Sequence, residues 1–139
     1  MNGPTYQPFV SCLGDLKARH AALIPQAEHE PNGAVAQGWF ERVDRLCAQL
    51  EAACPTPGSV QVRFETKHGA LRIGLDFDRK PVSGETADAI CDLAQACEAD
   101  CQLICCDCGA SSERKLRRPG WYTTRCDACH AKFMDYKEP

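Results

Sequence analysis

Apolar side chains recur at helical spacing from Trp39 onward. Trp39, Phe40, Val43, Leu46, Cys47, Leu50, Ala53 and Cys54 share one side, while Glu41, Arg42, Asp44, Arg45, Gln49 and Glu51 hold mainly the other. A stripe of this period predicts an amphipathic helix that packs on a sheet or on a second helix. Pro55-Thr56-Pro57-Gly58-Ser59 ends it, because proline cannot continue the ladder of backbone hydrogen bonds. The period then changes from 3.6 to 2. Val60, Val62, Phe64 and Thr66 alternate with polar residues, as do Leu71, Ile73, Leu75 and Phe77. Two alternating runs joined through Lys67-His68-Gly69-Ala70 predict an antiparallel hairpin. After Pro81, with Ser83 as its cap, a second helix carries Ala87, Ile90, Cys91, Ala94, Cys97 and Cys101 on its buried side, with Leu93 at the stripe's edge.

Upstream, Leu13, Leu16, Leu23 and Ile24 lie roughly at helical spacing after Ser11, a cap candidate, and Pro25 is expected to stop that short helix. Gln26 to Gly38 is polar, contains Pro31-Asn32-Gly33, and reads as a loop or linker. The fold class is therefore α+β: helix, antiparallel hairpin, helix, then a cysteine-rich terminal module. Residues 1–37 read as an N-terminal helical appendage and linker, 38–104 as the helix–hairpin–helix core, and 105–139 as a four-cysteine zinc ribbon.

Composition changes the picture through cysteine, which supplies 11 of 139 residues. In a short exported chain this density would mark a disulfide scaffold. Met1 to Pro8 has neither a basic start nor an apolar stretch after it, so no signal peptide is expected. No apolar run approaches membrane-spanning length, and an odd cysteine count fits complete pairing poorly. The expectation is a cytoplasmic protein in which clustered thiols bind metal.

The spacing of those thiols is specific. Cys105 and Cys108 are separated by two residues, as are Cys126 and Cys129, and 17 residues lie between the pairs. A C-x2-C turn lets two thiolates face one ion, and two such knuckles complete a tetrahedral four-sulfur site that favours a structural Zn²⁺. Such a site has no open coordination position, so it folds a segment too small to bury its own core and catalyses nothing. Cys106 and His130 are alternative ligands. Cys126-Asp127-Ala128-Cys129-His130 also has the C-x-x-C-H form of c-type haem attachment, and four cysteines can carry an iron–sulfur cluster. Thioredoxin-like chemistry would need a strand and βαβ context that the pattern lacks.

The formal net charge is −3, unevenly distributed. Residues 1–104 carry nine basic and fourteen acidic side chains. Between Cys105 and Lys132 the basic residues Arg114, Lys115, Arg117, Arg118, Arg125 and Lys132 outnumber the acidic Asp107, Glu113 and Asp127. One Zn²⁺ on four thiolates adds −2 and removes most of that excess. The Arg114–Arg118 run, followed by Trp121, Tyr122 and Arg125, forms a candidate partner surface, with phosphate contacts and base stacking as the nucleic-acid version. The opposing reading makes those cations an offset to the thiolates and Trp121 a cover for the knuckles. No nucleophile or acid–base motif appears, so no enzyme is expected. His68, beside Lys67 and Arg72, reads as an exposed turn residue.

Trp39, Leu46-Cys47, Gln61-Val62, Lys67-His68-Gly69-Ala70-Leu71-Arg72, Cys105, Asp107-Cys108-Gly109 and Gly120-Trp121, Thr124 and Cys126 also carry a resemblance. The segment Gly38 to Ala131 resembles a group of small, largely uncharacterised bacterial and phage proteins. In these, a K-F-G-G-L-R-like turn and strand precedes a helix and a terminal zinc-binding module with a G-W…T-x-C segment. His68 and Ala70 depart from that turn, and the first 37 residues lie outside the resemblance. It implies the architecture and no activity. Together these readings lead to the expectation of a noncatalytic zinc-containing binding protein with a protein partner, in the manner of an immunity, inhibitor or host-antagonist protein. A nucleic-acid-binding ribbon is the alternative.

Overall fold

The computed structural model describes residues 10–25, 34–78 and 80–137; most of the expected loop from Gln26 to Gly38 lies outside them. Among the described residues the order is α1 (Leu13–Arg19), α2 (Phe40–Ala53), β1 (Val60–Lys67), β2 (Ala70–Phe77), α3 (Gly84–Cys101), β3 (Lys115–Arg118), β4 (Trp121–Thr123) and α4 (Asp127–Lys137). The class is α+β, with four helices and two small antiparallel sheets. No helix among the described residues is long and apolar enough to cross a membrane.

The core forms where the three apolar patterns meet. Val43, Leu46, Cys47 and Leu50 of α2 are buried with Val60, Val62 and Phe64 of β1, Leu71 of β2, and Ile90, Cys97 and Cys101 of α3. In the hairpin Phe64 stands opposite Ile73 and Lys67 opposite Ala70, leaving His68-Gly69 as a two-residue turn. Both turn residues have positive φ, 51° and 75°, the twist that two-residue hairpins require. Ser83 caps α3 as expected, its hydroxyl accepting from the Thr86 N–H at 3.2 Å.

The N-terminal stretch departs from its expected form. Helix α1 stops at Arg19, well before Pro25, because the chain turns at His20. Leu23 and Ile24 donate back to the His20 carbonyl, which places both side chains in the core, and the Leu23 carbonyl accepts from Val62 on β1. The His20 ring is buried and bonded on both sides, to Asp44 of α2 at 2.7 Å and to Glu51. Leu13, Leu16, Leu23, Ile24 and Val35, read in sequence as part of an appendage and linker, belong to the same buried cluster as α2 and the hairpin. Cys12, undecided from sequence, is also buried there. Ser11 does not cap the helix from the N-cap position, which Cys12 occupies; its hydroxyl accepts from Leu13 and Val35 and joins the two sides of the intervening loop.

Candidate metal centre

The first knuckle follows α3 directly. Cys105 accepts the Gly109 N–H with its carbonyl at 2.9 Å and donates its own N–H to Ala110 at 2.8 Å, closing a tight loop. Gly109 sits at φ 79°, the left-handed conformation this turn needs. The second knuckle opens α4: the His130 N–H bonds the Cys126 carbonyl at 2.8 Å, so Cys126 and Cys129 flank the first turn of that helix. Its positive end therefore lies beside the sulfurs and favours their anionic form.

These turns bring Cys105, Cys108, Cys126 and Cys129 together, with all four Sγ atoms within 4.8 Å of one another. Sγ of Cys108 and Cys126 are 3.8 Å apart. The four cysteines form a metal-binding module able to hold one ion. Burial works to raise the Cys105 thiol, but backbone N–H groups of Cys108, Cys126 and Asp107 outweigh it and bring it down to about 7. The N–H···Sγ distances are 3.5 Å from Cys108 and 3.3 Å from Cys126. Cys108 and Cys129 are pushed up, in each case mainly by burial. A metal arriving at this set must displace the thiol protons that the free site retains.

Cys106 and His130, the alternatives considered from sequence, stand apart from the four sulfurs. The Cys106 thiol lies 3.8 Å from both an Asp107 carboxylate oxygen and the Thr123 hydroxyl, and it faces a cavity on the other side of the knuckle. His130 rests against Trp121 with ring centres 5.7 Å apart. Burial, then the charges of Arg117 and Arg125, holds its imidazole below the ordinary range.

The basic residues of the module divide between interior and surface: Arg125 is buried, Lys115 and Arg117 are half-buried, and Arg114, Arg118 and Lys132 are exposed. Arg125, read in sequence as part of a binding surface, is 5 % exposed and pairs with half-buried Asp107 at 2.6 Å, a correction to that expectation. This pair ties the first knuckle to the residue preceding the second, and the Arg125 guanidinium also lies 4.2 Å from the Phe133 ring centre on α4. Arg117 donates to the Arg125 carbonyl at 2.9 Å and shares Asp127 with Lys115. Arg114 lies over the Tyr122 ring and bonds the His68 carbonyl on the hairpin tip. Arg118 and Lys137 both approach Trp121, at 5.8 and 5.7 Å from its centre. Trp121 itself is half-buried and packs on Phe133.

Two contacts that sequence reasoning missed seat the module on the core. A Cβ on Gly38 would fall 2.1 Å from the Cys105 carbonyl oxygen and 2.6 Å from the Cys106 carbonyl carbon. The Gly38 N–H donates to the Cys106 carbonyl at 2.8 Å, and the next residue, Trp39, donates its indole N–H to Ile104 at 3.0 Å. At the opposite side, a Cβ on Gly69 would lie 2.5 Å from the Tyr122 carbonyl oxygen. Backbone meets backbone at both places, and only glycine permits it. The Gly38-Trp39 and Gly69-Ala70 pairs were visible in sequence, but nothing there distinguishes a docking glycine from a turn glycine.

The fold and site thus define an α+β protein whose terminal module is built around four convergent thiols and docked on the core. No protein-family model, curated protein or solved structure matches the chain.

Proposed function

We propose that the protein is a noncatalytic, zinc-stabilised binding protein whose target is another protein. The observation that carries the zinc assignment is the convergence of four sulfurs, and no other donor type, within 4.8 Å. A tetrahedron with zinc–sulfur bonds of about 2.3 Å has edges of about 3.8 Å, which matches the 3.8 Å between Cys108 and Cys126. Iron–sulfur clusters distribute their thiolates over separate irons and need a wider set. Four thiolates leave zinc no position for water, which makes the ion structural.

A protein target is supported by the way the cations are used. Arg125 is buried on Asp107, Lys115 and Arg117 engage Asp127, and Arg114 lies on Tyr122. Groups committed to their own module make a poor phosphate-binding stripe. The half-buried pair Trp121 and Tyr122 offers the kind of aromatic anchor enriched at protein interfaces. The acidic charge of residues 1–104 complements a basic target, as an immunity or inhibitor protein would.

Affinity capture of the tagged chain from extracts of its own organism tests this. The expected result is one stoichiometric protein partner, lost on Trp121→Ala with metal content retained. Recovery of no such partner, together with tight binding of short DNA or RNA at 150 mM salt that Arg114→Ala and Arg118→Ala abolish, would replace it with the nucleic-acid reading.

A further inference from the structure

Behind the first knuckle lies a cavity of about 410 Å³. It is bounded by three separate parts of the molecule: the segments at Val10-Ser11 and 34–36, the hairpin tip at Thr66 and Gly69, and the metal module. We propose that this cavity is a binding site for a small, uncharged aromatic molecule.

Three observations support that class. The volume falls in the range of small-molecule pockets, and the position between two structural units is where such pockets concentrate. Trp39, Trp121 and Tyr122 all contribute to its wall, and Val35 is fully buried there, so the surface offered is aromatic and aliphatic. Among the described residues that line it, Asp107 and Arg125 are the charged ones, and they neutralise each other at 2.6 Å. Their side chains are 9 % and 6 % exposed, so the pair is itself part of the cavity's buried wall. A charged ligand would enter a low-dielectric space with no free counter-charge, whereas a neutral ring loses little on desolvation. The Thr123 hydroxyl and the Cys106 thiol, 3.8 Å apart, add polar groups for one ligand hydroxyl. Because Cys106 and Asp107 belong to the knuckle, the four-sulfur site shapes one wall of the cavity.

The inference goes beyond the zinc-stabilised binding reading and is tested separately from it. Three probes that share a naphthalene ring, 2-naphthol, 2-naphthoate and 2-naphthylmethylammonium, are titrated into the full metal-loaded chain at pH 7. Binding is read from the NMR signals of the indole N–H groups of the chain's two tryptophans, with metal content measured on the same sample. 2-Naphthol is expected to shift both indole signals, and the two charged probes to bind at least about tenfold more weakly. Thr66 is exposed on β1 at the cavity wall, so Thr66→Phe fills space without disturbing the core and is expected to weaken naphthol binding at least about tenfold with the melting temperature unchanged. Ala34→Phe provides the same test from the opposite wall should the first variant fold poorly. No indole shift at millimolar naphthol, equal or tighter binding of either charged probe, or full affinity in a folded wall variant would overturn the proposal. Naphthol binding by a chain found to carry no zinc would refute the metal assignment and leave this inference standing.

Discussion

Gly38→Ala adds one methyl group at the seam between core and metal module. The Cβ would sit 2.1 Å from the Cys105 carbonyl oxygen, where ordinary contact begins near 3.4 Å, so atoms must separate by more than 1 Å. The obstruction is backbone on both sides, and no side-chain rotation relieves it. Separation also breaks the 2.8 Å bond from the Gly38 N–H to the Cys106 carbonyl and loads the neighbouring Trp39–Ile104 bond. Overpacking of this kind costs about 1 to 3 kcal/mol, and the lost hydrogen bond about 0.5 to 1.5 kcal/mol. The expected destabilisation is thus about 2 to 4 kcal/mol in urea unfolding of the metal-loaded protein. Should the knuckle move and the helix stay, the same strain appears as weaker metal binding, up to about a thousandfold in competition with a chelator. Gly14→Ala is the control, since its Cβ meets nothing within 4 Å. It is expected to be neutral or to stabilise α1 by about 0.5 to 1 kcal/mol. A Gly38→Ala protein with unchanged unfolding midpoint and unchanged metal affinity would refute the docking of the module on the core.

The other predictions concern charge and burial. Removing Arg125 as Arg125→Met strands Asp107 in a buried site and is expected to cost about 3 kcal/mol or more, whereas Arg114→Ala, on an exposed residue, is expected to change stability by less than about 1 kcal/mol; chemical denaturation distinguishes them. His20→Ala leaves the Asp44 carboxylate without its imidazole partner and is expected to destabilise by about 1 to 3 kcal/mol in the same assay. The hydrogen bond from His20, followed by Arg19, holds the Asp44 carboxyl below its ordinary value of 3.8 against the opposing effect of burial. A depressed acid stabilises the fold fully above its unfolded value, so this contribution is present above pH 3.8 and is lost as pH falls through the lower folded value. An acid titration of stability in which Asp44→Asn and the parent protein lose the same amount below pH 3.8 would contradict that role.

Much of this architecture was legible because burial imposes periodicity. Val60, Val62 and Phe64 alternate because one face of β1 meets the core, and Val43, Leu46, Cys47 and Leu50 recur because one side of α2 does. The four-sulfur site was legible because a C-x2-C turn is short enough to fix its own geometry. What escaped the sequence is set by contacts between distant segments. Helix α4 buries only Cys129 and Phe133 of its eleven residues, too few to reveal a period. The early end of α1 depends on His20 meeting Asp44 and Glu51, which are 24 and 31 residues away. The inward course of Arg125 depends on Asp107, 18 residues earlier, so a residue that looked like part of a basic surface became an internal tie between knuckles. Gly38 and Gly69 act through what their missing side chains permit, which no local pattern records.

The cysteines divide accordingly. Cys12, Cys47, Cys97 and Cys101 are buried in the main core, and burial pushes the Cys12 and Cys47 thiols up to about 12, where they are inert at neutral pH. Among the described residues, only the knuckle sulfurs form a cluster of three or more candidate metal ligands.

Under the proposed function those four sulfurs hold one zinc ion. Elemental analysis of the purified chain combined with native mass spectrometry tests it most directly. One zinc per chain and a colourless protein are expected, with the metal lost in Cys108→Ser and Cys126→Ser and kept in Cys106→Ser. A chain that carries no metal, one that carries iron with visible absorption, or one that loses zinc only in Cys106→Ser would contradict the zinc assignment.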